Sequence, residues 1–225
     1  MQTLKQIWEE GKDFEVEFWK KWVDEKGGQW EGDFIARLNP NTFIDPHIEE
    51  FIKDIVGLPS ILDVGAGPLT VLGKKMSDGR SVHITAVDPL AEKYNQLFHE
   101  ALIRPLVITQ YAEVEKLDMF FHMDQFDLVH MRNALDHSYD PLLGVRQMIA
   151  TIKPKRVILL EHSTNEAEKA KYGAFHQWNI CVEDDCLIFW NKSNRINVNK
   201  ELENIAKVIA WGNDEWTSAV IEKNA

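Results

Sequence analysis

Apolar residues recur at helical spacing near the start of the chain. Phe14, Phe18 and Trp22, with their neighbours Trp19 and Val23, predict an aromatic amphipathic helix that Gly27 and Gly28 end. Residues 27–40 then read as a turn-rich linker carrying Trp30, Asp33 and Arg37. A further helix is expected to start at Asp45 and Pro46, present Ile48, Phe51, Ile52 and Ile55 on one face, and stop at Gly57. Beyond residue 60 the period changes. Apolar runs at 61–64, 82–87, 106–109, 126–131 and 156–161 alternate with amphipathic stretches, as strands and helices do in an α/β domain. Those stretches carry Leu69, Leu72 and Met76, then Leu90, Tyr94, Leu97 and Phe98 after Pro89, then Leu142, Val145 and Ile149 after Asp140 and Pro141. The run Val157, Ile158, Leu159, Leu160 has no polar face, as a parallel strand covered on both sides requires. The tail reads as strand at 187–190, turn at 191–194, strand at 195–198 and a short β-rich stretch at 217–221, while 205–211 fits helix or strand. The pattern divides the chain into N-terminal helices, 1–57, whose faces are expected to pack as cover with the 27–40 linker as active-site lid, and an α/β domain, 58–225.

Composition narrows the partners. A chain of 225 residues, 44% apolar and 27% charged, buries an ordinary globular core. Its formal charge of −11 and the lack of a basic cluster argue against a nucleic-acid partner. No apolar run is long enough to span a bilayer, the polar start does not read as a signal peptide, and Cys181 and Cys186 make neither a C-x-x-C pair nor a disulfide framework. The expectation is a cytoplasmic protein acting on a small molecule, with no membrane insertion and an oligomeric state that the sequence leaves open.

The chemistry starts at residues 60–70. An apolar strand runs into Asp63, then Gly65, Ala66 and Gly67, where the backbone can turn sharply and approach a ligand. Thr70 replaces the third glycine of the dinucleotide fingerprint, and no Lys-Ser/Thr pair follows to make a phosphate loop. The run Leu62, Asp63, Val64, Gly65, Ala66, Gly67 resembles the first motif of the class I S-adenosylmethionine-dependent methyltransferases, and over roughly 58–190 the other signatures of that family follow in order. The resemblance implies a Rossmann-like three-layer α/β sandwich with a seven-stranded sheet in the order 3-2-1-4-5-7-6. It also implies S-adenosyl-L-methionine as cofactor and S-adenosyl-L-homocysteine as product. Asp88, at the end of the second strand with Pro89 and Leu90, matches the acid that takes the ribose hydroxyls; Ala112 and Glu113 match the small residue and acid beside the adenine. Asp63, Gly65, Ala66 and Gly67 hold the methionine end, and His130 and Arg132 of the fourth strand join the same cofactor set.

Polar groups follow the fourth and fifth strands too densely for core: Arg132, Asn133, Asp136, His137, then Glu161, His162 and Asn165. Methyl transfer to oxygen needs a base, and a histidine beside a carboxylate supplies one near neutral pH. His137, Asp136, His176 and His162 are therefore the catalytic candidates, and Trp30, Arg37, Asn133, Glu161 and Trp178 the substrate-binding ones. Asn165 and Glu168 read as a capping box for a helix running past Tyr172, Phe175, His176 and Trp178. Several of these side chains are metal-ligand types, but no ligand-spacing motif is present and no metal is assigned. A weaker similarity, through 133–137, 176–179 and 27–30, is to bacterial methyltransferases found with surface-polysaccharide biosynthesis. It implies a sugar, a nucleotide-activated sugar or a phosphorylated metabolite as acceptor. The motif for methylating adenine or glutamine nitrogen is absent; Arg132, Asn133, Ala134 and Leu135 stand there. N-methylation of a small molecule and a catalytically inactive binding subunit are the alternatives.

Overall fold

The computed structural model describes residues 2–225. Seven strands make the central sheet. They are β1 (Ser60–Val64), β2 (His83–Asp88), β3 (Gln110–Tyr111), β4 (Phe126–Arg132), β5 (Ile152–Ser163), β9 (Ala206–Gly212) and β10 (Trp216–Lys223), in the order β3-β2-β1-β4-β5-β10-β9. The first five are parallel; β10 runs antiparallel to both β5 and β9, so the chain closes the sheet with a hairpin. This is the expected 3-2-1-4-5-7-6 order. The stretch 205–211, ambiguous by period, is strand from Ala206 onwards because Val208 and Ala210 pack on the main core. A second sheet, β6 (Asn179–Glu183), β7 (Cys186–Trp190) and β8 (Arg195–Asn197), lies between β5 and β9 in sequence, and Leu187 and Phe189 of β7 are wholly buried in the same core. No helix among the described residues is long and apolar enough to cross a membrane.

Helices flank this sheet: α1 (Leu4–Asp24), α2 (Glu31–Leu38), α3 (Pro46–Glu49), α4 (Ala91–Glu100), α5 (Pro141–Thr151), α6 (Glu166–Lys169) and α7 (Val198–Leu202). Helix α1 starts on a capping box in which Thr3 and Gln6 satisfy each other's backbone N–H groups. Its buried face is Trp8, Gly11, Trp22 and Val23; Phe14 is exposed and Phe18 half-exposed. Within 27–40, residues 28–38 are helical, a 3₁₀ turn at Gly28–Trp30 leading into α2, and do not form an open linker.

Five sequence expectations give way to tertiary structure. Residues 68–80, where Leu69, Leu72 and Met76 read as a helix, form no helix. Their backbone groups pair with a neighbouring segment: Lys74 and Lys75 N–H donate to the Thr42 carbonyl, and Ile44 N–H to the Lys75 carbonyl. The three apolar side chains are still buried, so the period registered core contact and not helix. The third strand lies at 110–111 and not 106–109, since only Gln110 and Tyr111 reach β2 and Leu106 and Ile108 are exposed. The helix expected at 46–57 is a single turn, α3, followed by isolated turns, and Asp45 makes no side-chain cap. The helix expected after Asn165 ends at Lys169, because Lys171, Tyr172 and Ala174 all take left-handed backbone; Asn165 itself is left-handed and accepts from the Trp190 indole at 3.0 Å instead of capping. The fifth strand starts at Ile152, four residues early, with its register shifted between Phe126 and Leu128.

Gly73 shows how tightly the 68–80 segment is docked. A Cβ there would lie 2.1 Å from the backbone carbonyl carbon of Phe43. Gly73→Ala should therefore cost about 1–3 kcal/mol or more of overpacking, whereas Gly32→Ala, on α2 with nothing within 4 Å, should gain several tenths. Urea unfolding of the two variants checks the sign; equal effects would mean that the segment is loosely held.

Candidate functional site

The carboxyl ends of β1, β2 and β4 open into one cavity of about 440 Å³. Its floor is the turn after β1. Gly65 and Gly67 both have positive φ, +66° and +62°. A Cβ at Gly65 would stand 2.3 Å from that of Ala134, and one at Gly67 would stand 3.2 Å from the Trp19 ring. The Asp88 carboxylate pins this turn to β2: it accepts from Gly67 N–H at 3.1 Å and from Leu90 N–H at 2.8 Å. Burial nevertheless pushes its pKa up to about 7, against those two N–H groups. Thr109 Oγ1 donates to the Gly67 carbonyl at 2.9 Å. Ala66, Pro89, Leu90, Ala112 and Glu113 line the same cavity. Burial would raise the Glu113 carboxyl, but the Lys116 ammonium at 2.7 Å and the hydroxyls of Tyr111 and Tyr139 hold it below the usual range.

The roof is α1. Trp8, Glu15, Phe18 and Trp19 face the cavity, and Trp19 Nε1 donates to Glu15 at 2.7 Å. The helix is clamped at its start, where Trp8 stacks on Phe175 and meets Tyr139 edge-on. Sequence reading missed Trp8, Glu15 and Glu115. The signal available was the spacing 8, 15, 19, 22, a helical face of tryptophans interrupted by one carboxylate. Glu115 is buried, accepts from the N–H groups of Tyr139 and Asp140, and has its pKa pushed up to about 7 by burial.

Asp136, His137 and His176, which line the same cavity, come together from separate segments. Asp136 Oδ2 lies 2.7 Å from His176 Nδ1 and 3.6 Å from His137 Nε2; the two ring nitrogens are 3.3 Å apart. The Asp136 carbonyl accepts from the N–H groups of Gln177 and Trp178, which ties the 173–178 segment to the loop after β4. Burial would raise the Asp136 carboxyl, but the neighbouring His137 and His176 rings hold it below the usual range, and burial would lower His176, which the hydrogen bond to Asp136 raises instead.

His130, expected among the cofactor-binding residues, has a wholly buried ring and does not line this cavity. It bridges two carboxylates instead: Nδ1 lies 2.7 Å from Asp63 Oδ1 and Nε2 lies 3.2 Å from Glu161 Oε2. Asp63 accepts from Thr70 Oγ1 at 2.5 Å with its other oxygen, and Glu161 meets the exposed ring of His47 at 3.2 Å. Burial alone would lower the imidazole, but the two carboxylates raise its pKa to about 9, while Glu161 falls to about 2. His162 and Trp178 also stand outside the cavity: both are buried, with His162 Nδ1 and Nε2 and Trp178 Nε1 unpartnered, and burial lowers the His162 pKa to about 4.

A neighbouring cavity of about 480 Å³ shares Phe18, Trp19, Arg37, Val71, Arg132 and Asn133 with the first. Trp30 lines only this second one. Arg37 is held by Asp33 at 2.8 Å and donates to the Leu69 carbonyl at 2.9 Å; the Arg132 guanidinium lies 5.2 Å from the centre of the Trp216 ring. Asn133 has left-handed backbone and accepts from Ser163 N–H at 2.8 Å.

The His130 bridge gives the fold a pH window. A raised histidine stabilises fully below its unfolded pKa of about 6.5 and loses that contribution as pH rises through about 9. A lowered Glu161 contributes above about 4.5 and loses it as pH falls through about 2. The melting temperature should therefore decline between pH 6.5 and 9, and His130→Gln should be less stable at pH 6 with a flatter profile. Parallel profiles for the two proteins would remove the charge from His130.

A family model described as a methyltransferase domain matches residues 3–198. No curated protein matches the chain by sequence. Among solved structures, the CMeT domain of the citrinin polyketide synthase aligns with a TM-score of 0.55 at 13% identity, over 79% of this chain and 50% of that one. The CurJ carbon methyltransferase aligns with 0.54 at 12%, over 79% and 52%. This chain thus spans about half the length of either. A methyltransferase from Methanosarcina mazei aligns with 0.47 at 15%, over 80% and 98%. At such identities the structural likeness speaks for the fold, a class I methyltransferase fold, and the match over 3–198 carries the assignment: the chain belongs to the methyltransferase-domain family.

Proposed function

We propose that this protein transfers a methyl group from S-adenosylmethionine to a hydroxyl of a small polar molecule. The observation that carries the reading is the shared cavity: the turn at Gly65 and Gly67 with Asp88, and the cluster of Asp136, His137 and His176, line the same space. The cradle suits this cofactor better than a dinucleotide. A pyrophosphate is held at a helix N-terminus after the glycine turn, and here the turn is followed by the non-helical 68–80 segment. Bound, S-adenosylmethionine would supply a methyl group activated by its sulfonium charge. Asp88 would accept from the ribose hydroxyls, Ala112 and Glu113 would border the adenine, and Asp63 would act through Thr70 to hold the turn. Trp19 and Glu15 would close the site from above and keep water out.

On the acceptor side, His137 takes the hydroxyl proton, with Asp136 and His176 fixing its orientation and charge. Asn133, Arg37, Arg132 and Trp30 border the adjoining cavity, where aromatic faces beside hydrogen-bonding groups suit a ring-shaped polar acceptor. A sugar, a nucleotide-activated sugar or a phosphorylated metabolite has that chemistry. The net charge of −11 supports a small acceptor over nucleic acid.

Two measurements test this. Calorimetry with S-adenosylhomocysteine should show affinity rising with pH through about 7, as Asp88 ionises and accepts both hydroxyls. Asp88→Ala should weaken binding by about 2–4 kcal/mol and abolish the pH dependence; an unchanged dissociation constant would remove Asp88 from the site. In a methyl-transfer screen over nucleotide sugars and phosphorylated metabolites, His137→Ala should lower kcat by about 10²–10⁴-fold with S-adenosylhomocysteine affinity unchanged. Wild-type turnover in that variant would leave His137 structural.

A further inference from the structure

The three side chains on the acceptor side converge on one point. Asp136 Oδ2, His137 Nε2 and His176 Nδ1 are separated by 2.7, 3.3 and 3.6 Å. Ligand atoms about 2.1 Å from a shared ion stand about 3.0 Å apart in an octahedron and about 3.4 Å apart in a tetrahedron. The observed triangle brackets both values. Protons serve it less well: with N–H groups on both His176 Nδ1 and His137 Nε2, the second stands 3.6 Å from Asp136 Oδ2, too far for a hydrogen bond, and 3.3 Å from the first, whereas a shared ion engages all three atoms.

Backbone and ring contacts hold the triangle. The N–H groups of Gln177 and Trp178 donate to the Asp136 carbonyl at 3.0 and 3.1 Å, which fixes the segment bearing His176 against the loop bearing the other two residues. The Phe175 ring lies 5.3 Å from that of His137. Asp136 is buried, whereas the two histidines are partly open towards the cavity, leaving room for further ligands on that side only. Two imidazoles and one carboxylate favour a borderline transition ion; magnesium and calcium prefer all-oxygen sets.

We propose that Asp136, His137 and His176 bind a divalent transition ion of the zinc type, with open coordination positions facing the cavity. This revises the metal-free expectation from sequence, where adjacent Asp136 and His137 and a histidine 39 residues further on form no spacing motif. The consequence for catalysis rests on the methyl-transfer reading; the binding itself does not. An acceptor hydroxyl joining the ion would lose its proton to bulk water, the electron pair staying on oxygen, and His137 would then serve as ligand in place of base.

Cobalt chloride titrated into chelator-treated, dialysed protein is the direct test, since Co²⁺ reports its coordination through visible absorption. The expected result is one equivalent bound with the intense bands of a four- or five-coordinate site, displaced by zinc chloride. Asp136→Asn and His176→Gln should each weaken Co²⁺ at least tenfold, with melting and S-adenosylhomocysteine binding measured alongside to show that the variants fold. Absent bands, or equal affinity in wild type and both variants, would overturn the site. Cobalt binding without S-adenosylhomocysteine binding would sink the methyl-transfer reading and leave the metal site standing; the reverse outcome would leave His137 as the base.

Discussion

The arrangement depends on one buried charge. His130 sits near the carboxyl end of β4 between Asp63 of β1 and Glu161 of β5, with no exposure to solvent. Three charged side chains cost a great deal to desolvate, and removing one partner would leave an uncompensated charge in the core. They are tolerated because every group has a partner: Asp63 also holds Thr70, and Glu161 also meets His47. The bridge therefore fixes two loops at once. Through Thr70 it reaches the turn that floors the cavity, and through the Glu161 backbone carbonyl, which accepts from Asn133 N–H at 2.9 Å, it reaches the loop leading to Asp136 and His137.

On that base the two parts of the cavity are made by different means. The floor is local: two glycines with positive φ and a carboxylate at the end of the adjacent strand are enough to shape it. The cluster of Asp136, His137 and His176 is assembled from distant parts of the chain, since His176 arrives only because the segment between β5 and β6 folds back onto the Asp136 carbonyl. Helix α1 spans both, touching Gly67 through Trp19 and Phe175 through Trp8 and Gly11. A roof held by aromatic contacts and few polar ones can separate from the floor without breaking the sheet, as ligand exchange requires.

What was legible in the sequence follows the same division. Strands β1, β2, β4 and β5 and the glycine turn with Asp63 and Asp88 could be read because each is a local signal with a backbone cause, whereas the strand order came by way of the family resemblance, the third strand was misplaced and β6 gave no signal. The 68–80 segment misled because Leu69, Leu72 and Met76 are buried at helical spacing while their backbone pairs with residues 42–44. Phe14 and Phe18 misled in the opposite sense, aromatic but exposed, while the working face of α1 carried Trp8 and Glu15. His130 looked like a ligand residue because it lies beside the strand end, and only register with Asp63 shows it to be a strut. His162 and Trp178 were selected for their chemistry, and burial removes them from the cavity.

The central claim is that a single cavity under α1 receives S-adenosylmethionine. Hydrogen exchange followed with and without S-adenosylhomocysteine tests it most directly, because it reports where the ligand lies without presuming an acceptor. The account predicts slower exchange at residues 65–70 and 88–91 and along α1, with β6, β7 and β8 unchanged. Protection confined to other surfaces, or none at a concentration where calorimetry shows binding, would contradict it.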